Sequence, residues 1–285
     1  LGAKIKIKEG YILAEAKKGL KGAIIKFPSI SVGATENALL ASFEAKGKTV
    51  LKNCALEPEI KDLISFLKKL GAKIKTKGRT ITISENKTKN SKATHEVIFD
   101  RIETGTYMIA SALLAKKKLT INKINPKIIK SEIGIMRKIG VKILINKNSL
   151  TIIRNKKLKK ISVTTKPYPG FPTDLQAQLM VLLTQVNGVS KIKEDIFENR
   201  FMHVPELKRM GAKIKIKNKT AMIRGPTKLF GAEVMATDLR ASVSLVLAGL
   251  VAENRTIINR IYHLDRGYEY LERKLKNCKA AVKRV

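Results

Sequence analysis

Residues that build disulfides, metal sites and membrane spans are scarce in this sequence. Its 285 residues include only two cysteines, Cys54 and Cys278, and three histidines, and these lie too far apart to give a metal-ligand spacing. No run of about 18 apolar residues is present that could span a bilayer, and the first residues do not resemble a signal peptide. We therefore expect no disulfide framework, no bound metal, no membrane insertion and a cytoplasmic location.

Acidic residues are also few compared with basic ones. The chain carries 23 Asp and Glu against 58 Lys and Arg, a formal net charge of +35. By itself this charge favours a nucleic-acid or anionic-surface partner. However, the lysines occur in short groups along the whole chain, and aromatic residues, which stack on bases, make up only 5%. A drift toward lysine on solvated faces explains the charge equally well, so we expect no specific nucleic-acid partner.

The chain contains an internal repeat. Four segments that nearly copy one another contain Gly2, Gly71, Gly140 and Gly211, at spacings of 69, 69 and 71 residues. Each of the last three glycines ends a helical pattern, and two alternating strands follow it. A small-residue turn then opens an apolar helix that leads into another strand. This period is longer than that of the common solenoids, and it predicts an α/β fold of compact lobes built from β-α-β-α-β-β repeats.

A polar, lysine-rich stretch from Glu85 to His95 is the best internal boundary. It predicts a first domain over residues 1–98, with about one and a half repeats, and a second over residues 99–285, with nearly three. The chain begins at Leu1 in the middle of a repeat and ends at Val285 just after a helical pattern. Both ends are therefore expected to be truncated relative to the repeat.

One stretch, Tyr168–Leu183, combines a proline-stiffened turn with a very apolar helix. Thr173 and Gln176 have the spacing of a capping box, which predicts that a helix begins here. Asp174 then falls in the first turn, beside unpaired backbone N–H groups and the positive end of the helix dipole. Such a carboxylate suits proton transfer or the binding of a hydroxyl group. An ordinary dipole-stabilising role explains Asp174 as well, and position alone does not choose between the two.

Polar residues that core packing does not explain recur at equivalent places in the repeats. The helix opening Ser31–Gly33 suits a phosphate, although a plain N-cap turn explains it too. Arg200, Arg240 and Arg266 offer planar forks that match carboxylate and phosphate, with rim salt bridges as the alternative. His203 is expected to pack at a helix entry rather than to act as a base. Because equivalent points of similar repeats gather on one face, we expect the polar groups to converge on one cleft.

These places carry motifs that resemble the enolpyruvyl transferases, and among them the UDP-N-acetylglucosamine 1-carboxyvinyltransferases. The motifs are Asp-Arg-Ile-Glu-Thr-Gly-Thr at 100–106, Phe-Pro-Thr-Asp-Leu-Gln-Ala-Gln at 171–178, Phe-Glu-Asn-Arg-Phe-Met-His-Val-Pro-Glu-Leu at 197–207, Val-Met-Ala-Thr-Asp-Leu-Arg-Ala-Ser at 234–242 and Ile-Tyr-His-Leu-Asp-Arg-Gly-Tyr-Glu at 261–269. The shikimate-pathway enolpyruvyl transferase shares the repeat but not these strings. The resemblance implies a two-lobed inside-out α/β barrel whose lobes close over the substrates, with the first lobe incomplete here.

The resemblance also implies an activity. The enolpyruvyl group of phosphoenolpyruvate would pass to the 3-hydroxyl of UDP-N-acetylglucosamine by addition and elimination, with release of phosphate, at the opening of peptidoglycan synthesis. No cofactor or metal is expected. Asp174 would contact that hydroxyl and accept its proton, and Arg200, Arg240 and Arg266 would bind phosphoenolpyruvate. The residues implied to bind UDP-N-acetylglucosamine are Ser29, Ile30, Ser31, Val32, Gly33, Asp174 and Ile196.

The sequence also departs from the family. Family members have a further segment before the position of Leu1, which supplies a lysine-asparagine pair and a flexible loop with a reactive cysteine or aspartate. Neither Cys54 nor Cys278 lies in a matching loop, and Ser29 stands where some relatives have a lysine. On this interpretation the chain is N-terminally truncated, nearly inactive by itself, and its expected partner is the missing segment. The alternative is a non-catalytic remnant whose basic face binds nucleic acid or an anionic surface.

Overall fold

The computed structural model describes residues 1–85, 92–115, 117–153, 155 and 157–285. The chain divides into two compact units, residues 1–98 and residues 99–285. The polar stretch Glu85–His95 comes just before this division, and its residues 86–91 lie outside the described residues. The assignment of the two units to two lobes of the expected fold stays a prediction.

The first unit is built on a mixed four-stranded sheet. Its elements are β1 (Lys4–Lys8), β2 (Tyr11–Glu15), β3 (Ile24–Lys26), α1 (Val32–Glu44), β4 (Thr49–Lys52), α2 (Pro58–Lys69), β5 (Lys73–Lys77) and β6 (Thr80–Ser84). In the sheet, β3 pairs with β4 in parallel, and β6 pairs antiparallel with both β4 and β5. The strands β1 and β2 form a separate antiparallel hairpin.

Two periodicities place the apolar side chains of this unit in one core. In β6, Ile81 and Ile83 are buried while the residues between and beside them are more exposed, as a period of two requires. In α2, Ile60, Ile64 and Leu67 recur at helical spacing and face the same cluster. The helix and the strands are therefore fixed to each other by burial of a shared apolar face.

The second unit repeats the same sequence of helix, strand and hairpin. Its helices are α3 (Arg101–Leu114), α4 (Lys130–Ile139), α5 (Gln176–Thr184), α6 (Val204–Arg209), α7 (Leu239–Val251) and α8 (Leu271–Asn277). Its strands are β7 (Lys118–Asn122), β8 (Lys142–Asn146), β9 (Ser149–Ile153), β10 (Ser162–Thr164), β11 (Gly188–Lys193), β12 (Lys213–Lys217), β13 (Thr220–Gly225), β14 (Glu233–Met235) and β15 (Ile257–Asn259). They form sheets in the orders β7-β9-β8, β10-β11-β13-β12 and β14-β15.

The predicted repeat is visible in the pairing of the strands. The hairpins β8–β9 and β12–β13 pair through their second strands with β7 and β11, in the same way as β5–β6 pairs with β4. Gly71, Gly140 and Gly211 follow the preceding helices with φ angles of +99°, +102° and +96°. Residues with a Cβ rarely adopt these angles, so glycine ends the helix at each equivalent point, as predicted.

Three helices of the second unit, α3, α5 and α7, pack against one another. Every residue of α5 is buried, which confirms the prediction of a mostly buried helix. Each of the three also packs on a different sheet: α3 on β7 and β9, α5 on β11 and β13, and α7 on β15. Helices inside and sheets outside are what an inside-out α/β lobe requires. The α/β class is therefore confirmed, while the strands in the described ranges form separate sheets rather than a closed barrel.

Candidate functional site

Asp174 lies in a short 3-10 turn, Thr173–Leu175, that leads directly into α5. The predicted capping box is wrong. Thr173 donates its hydroxyl hydrogen to Glu194 (Oγ1 to Oε2, 2.9 Å) instead of capping the helix, and the side chain of Gln176 is fully buried. Neither the turn nor α5 has a side-chain N-cap among the described residues. The helix therefore begins through burial of its apolar residues rather than through a cap.

Two arginines bind the carboxylate of Asp174. Arg200 Nη2 donates to Asp174 Oδ1 at 2.7 Å, and Arg240 Nε lies 3.4 Å from the same oxygen. The arginine side chains are only 18% and 16% exposed, so their charges are partly shielded from water. The guanidinium of Arg200 also lies over the ring of Phe197, 4.7 Å from its centroid. One carboxylate is therefore shared by two guanidinium groups.

Asp100 and Asp238 stand at helix openings equivalent to that of Asp174, but their carboxylates bind different partners. Asp100 accepts hydrogen bonds from two backbone N–H groups of α3, at 2.7 and 2.9 Å. Asp238 does the same for α7, also at 2.7 and 2.9 Å. Asp174 makes no such bond to a backbone N–H within the described part of the chain. Its carboxylate serves the arginines rather than the helix end, which favours a binding role over the simple dipole role.

A buried polar network supports Arg240. Its guanidinium carbon lies 5.8 Å from the ring centroid of Tyr268, whose side chain is 1% exposed. The Tyr268 hydroxyl accepts a hydrogen bond from Gln178 Nε2 at 3.2 Å and lies 2.9 Å from Thr106 Oγ1. Thr106 in turn donates to the backbone carbonyl of Ile102 at 2.9 Å. Because Thr106 lies on α3, Gln178 on α5 and Arg240 on α7, the three buried helices meet at this network.

The charges around Arg240 keep it protonated. Burial disfavours a charged guanidinium, but the Asp174 carboxylate, the Tyr268 hydroxyl and Asp100 outweigh burial and raise the pKa of Arg240. Burial also raises the pKa of Tyr268, with Arg240 as the main opposing influence, so the phenol keeps its proton. A protonated phenol donates to one partner and accepts from others, which is what the network around it needs.

We expect Tyr268→Phe to lower the free energy of unfolding by about 1–3 kcal/mol, because buried polar groups of Gln178 and Thr106 lose a partner. Tyr270→Phe is the matched control, since Tyr270 is 54% exposed, and it is expected to stay within about 0.5 kcal/mol of the original protein. Urea denaturation followed by circular dichroism measures both. Equal losses in the two variants would contradict the network.

Two other residues of the predicted site, Arg266 and Ile196, make no hydrogen bond or ion pair with Asp174, Arg200 or Arg240 in the described structure. Arg266 ends the 3-10 turn Ile261–Arg266, which packs on α7. Its side chain is exposed and makes no hydrogen bond or ion pair with any residue that the structure describes. Ile196 is 40% exposed, and its backbone N–H is bound to Glu194 Oε1 at 2.9 Å. The structure thus joins Asp174 to two of the three predicted arginines, while the third is exposed and outside this group.

In the first unit, the segment predicted to bind the nucleotide forms the opening of α1. Ser31 is its N-cap, and Ser31 Oγ accepts a hydrogen bond from the N–H three residues on, at 3.2 Å. This confirms the N-cap turn. Ile30 and Val32 pack on the core of the unit, whereas Ser29 and Gly33 are exposed. A Cβ built on Gly33 would meet nothing within 4 Å, so the first turn of the helix is open.

His203 is buried, as predicted for a residue that packs at a helix entry. Burial is the main cause that lowers the pKa of His203 to about 4; Arg200 adds to this effect, and Asp238 partly opposes it. The imidazole is therefore neutral at physiological pH. His203 is therefore not a proton donor poised near neutrality.

Sequence reasoning missed Glu194 and Tyr268. Glu194 follows a lysine-rich strand and has the appearance of a solvated strand end. A signal was present, because the alternation that buries Ser190 and Ile192 extends to Glu194, which is 1% exposed. Tyr268 lies within a recognised motif, but nothing in the motif indicates that its hydroxyl is buried among helices. Such contacts join residues 90 and 162 positions apart along the chain.

The described ranges also lack other kinds of site. Within them, no three His, Cys, Asp or Glu side chains are grouped so that they could hold a metal ion. No helix in the same ranges has both the length and the apolar character needed to cross a membrane. Cys54 and Cys278 are both free thiols; the first is buried and the second exposed.

Comparison with known proteins identifies one family. The family model described as EPSP synthase (3-phosphoshikimate 1-carboxyvinyltransferase) matches residues 1–275. The UDP-N-acetylglucosamine 1-carboxyvinyltransferase of Pelagibacter ubique (strain HTCC1062) is 58% identical, over 100% of this chain and 68% of the relative. The protein of the same name from Caulobacter sp. (strain K31) is 51% identical, over 100% of this chain and 66% of the relative. The chain thus spans about two thirds of the length of the curated relatives it matches.

Solved structures agree with the family. The enolpyruvyl transferase NikO from Streptomyces tendae superimposes with a TM-score of 0.90 at 27% identity, covering 99% of this chain and 69% of that one. EPSP synthase from Acinetobacter baumannii has a TM-score of 0.71 at 19% identity, covering 98% of this chain and 68% of that one, and so shares the fold. The resemblance carried by the five motifs is confirmed, and the chain belongs to the enolpyruvyl transferase family.

Proposed function

We propose that this protein transfers the enolpyruvyl group of phosphoenolpyruvate to the 3-hydroxyl of UDP-N-acetylglucosamine, with release of phosphate, as the first committed step of peptidoglycan synthesis. The observation that carries the proposal is the carboxylate of Asp174 held by Arg200 at 2.7 Å and Arg240 at 3.4 Å. The relatives at 58% and 51% identity bear the name of this activity, which supports the choice of acceptor.

The two arginines suit phosphoenolpyruvate, which carries a carboxylate and a phosphate. A guanidinium offers paired N–H donors in a plane that matches either group. A single carboxylate contacts both guanidinium groups, and an anionic substrate is proposed to supply the second negative charge. Arg266, exposed on a turn packed against α7, is the third proposed ligand, and it can reach an anion without breaking any contact seen with the described residues.

Asp174 is proposed as the proton acceptor. As the acceptor's 3-hydroxyl oxygen bonds to C2 of phosphoenolpyruvate, its proton passes to Asp174, and the electrons of the C2–C3 double bond take a proton from solvent at C3. The tetrahedral adduct then returns a proton from C3 to solvent, the C–H electrons restore the double bond, and phosphate leaves C2 with the electrons of the C2–O bond. Arg200 and Arg240 neutralise the charge that develops on the leaving phosphate. The turn before α5 fixes the carboxylate for this task.

For the acceptor, we propose that the opening of α1 binds the diphosphate. Gly33 is exposed and has open space beside it, so backbone N–H groups at this opening can approach phosphate oxygens closely. Ser29 and Ser31 complete the proposed diphosphate contacts in the first unit. In the second unit, Ile196 is proposed to contact the sugar nucleotide through its backbone. Ser29 brings a hydroxyl and no charge, so its contribution to diphosphate binding is smaller than that of a lysine.

3-Phosphoshikimate is a second candidate acceptor, because the family model that matches the chain is described as EPSP synthase (3-phosphoshikimate 1-carboxyvinyltransferase). The test is phosphate release from phosphoenolpyruvate by the whole natural chain, with each acceptor in turn. We expect release with UDP-N-acetylglucosamine and none above background with 3-phosphoshikimate. Release with 3-phosphoshikimate alone would overturn the proposed acceptor. No release with either, together with RNA binding that weakens steeply with salt, would instead support a non-catalytic remnant.

A further inference from the structure

A single buried carboxylate, that of Glu194, connects both sides of the Asp174–Arg200 pair. Glu194 comes directly after β11 and is 1% exposed. Its Oε2 accepts a hydrogen bond from Thr173 Oγ1 at 2.9 Å. Its Oε1 accepts from the backbone N–H groups of Ile196 at 2.9 Å and Phe197 at 3.1 Å, and from Thr165 Oγ1 at 2.8 Å. Four donors therefore meet one carboxylate.

The location of these donors along the chain is the informative feature. Thr173 directly precedes Asp174 in the turn before α5. Ile196 and Phe197 begin the segment that leads to Arg200, whose guanidinium packs over the Phe197 ring. The two ends of the 2.7 Å ion pair thus belong to segments that Glu194 holds together. A buried carboxylate is costly unless it is fully hydrogen-bonded, and here the cost is offset by donors from both segments.

We propose that Glu194 is a positioning residue that fixes the distance between Asp174 and Arg200. It does not contact substrate; it holds the turn that carries the proposed base and the segment that carries the proposed phosphoenolpyruvate ligand. The importance of this distance for catalysis rests on the proposed function, whereas the positioning itself does not. Thr165, which directly follows β10, belongs to the same arrangement. Its hydroxyl donates to Glu194, and its oxygen accepts the N–H of Asp195 at 3.0 Å.

The test compares three substitutions chosen to separate positioning from stability. Glu194→Ala removes all four hydrogen bonds. Glu194→Gln keeps the shape, since its carbonyl oxygen can accept the same three bonds and its amide can donate to the Thr173 hydroxyl oxygen. Thr165→Val removes its bond to Glu194 and the bond that it accepts from the Asp195 N–H. It lowers stability while leaving the bonds from Thr173, Ile196 and Phe197 to Glu194 in place.

Two measurements are made on the protein and each variant. Amide hydrogen exchange without ligand reports directly on Ile196 and Phe197. We expect their exchange to accelerate at least tenfold in Glu194→Ala and to change little in Glu194→Gln and Thr165→Val. Titration calorimetry with phosphoenolpyruvate is expected to show about a 10- to 100-fold weaker Kd for Glu194→Ala only. The melting temperature of each variant shows how much of any change is general destabilisation.

Unchanged exchange of both amides in Glu194→Ala would overturn the proposal. So would an equal loss of affinity in Thr165→Val at an equal loss of melting temperature, because that result indicates a purely structural carboxylate. If Glu194→Ala fails to fold, Thr173→Val is used instead. It removes only the bond on the Asp174 side and is expected to weaken the Kd for phosphoenolpyruvate while sparing the amides of Ile196 and Phe197. If the unsubstituted protein binds no phosphoenolpyruvate, the proposed function fails, while hydrogen exchange still decides the positioning role.

Discussion

Asp174→Asn is expected to lower kcat by about 10²- to 10⁴-fold, the range over which a positioned general base contributes. Asparagine keeps an oxygen that can accept from Arg200, so the fold and the arginine geometry persist. What is lost is the negative charge and the capacity to take up the proton of the acceptor hydroxyl. Steady-state phosphate release with saturating substrates, measured on the whole natural chain, gives kcat directly.

The control for this substitution is Asp195→Asn. Asp195 has a side chain that is 36% exposed, the same as Asp174, but its partner is Lys193 rather than an arginine of the site. It is expected to change kcat by less than about twofold, as is usual for surface substitutions. An Asp174→Asn variant that turns over at the original rate would exclude Asp174 as the base, whatever its effect on binding.

Arg240→Lys is expected to weaken the binding of phosphoenolpyruvate by about 100-fold, although the charge is retained. Arg240 bridges two partners at once: its Nε lies 3.4 Å from Asp174, and its guanidinium lies over the Tyr268 ring. A lysine ammonium is a single point charge on a flexible stem and cannot present a planar fork to Asp174 and an anion together. Losing one partner of a mostly buried charged contact carries a penalty of this size.

Titration calorimetry with phosphoenolpyruvate measures the effect of Arg240→Lys, and Arg255→Lys is its control. Arg255 is exposed, and its replacement is expected to leave the Kd within about twofold. The melting temperature of Arg240→Lys is also recorded, since the Tyr268 network is close by. A Kd that stays the same in both variants would mean that phosphoenolpyruvate does not bind at Arg240.

Much of the fold could be predicted from the sequence because local residue patterns determine it. The equivalent glycines Gly71 and Gly140 predict helix ends and hairpins at a fixed period, and both have the positive φ angles that this requires. The apolar run after Asp174 predicts a buried helix, and every residue of α5 is buried. Repeat equivalence also predicts that Arg200 and Arg240 lie near Asp174, and both contact its carboxylate.

What could not be predicted depends on contacts between residues distant in sequence. The capping box at Thr173 fails because a buried carboxylate, Glu194, competes for the hydroxyl from another part of the unit. Arg266 stands at the repeat-equivalent position, yet the buried place beside Arg240 is taken by Tyr268, two residues further on. Local spacing predicts which element a residue belongs to, whereas the choice of hydrogen-bond partner follows from packing.

The most direct test of the proposed activity is the melting temperature of the protein with UDP-N-acetylglucosamine, with phosphoenolpyruvate, and with both. A ligand that binds only the folded state, present at 100 times its Kd, stabilises that state by about 2.7 kcal/mol. We predict that each ligand raises the melting temperature and that the increase with phosphoenolpyruvate is lost in Arg240→Lys. A cooperative melt that neither ligand shifts would contradict the assignment of both substrates to this protein.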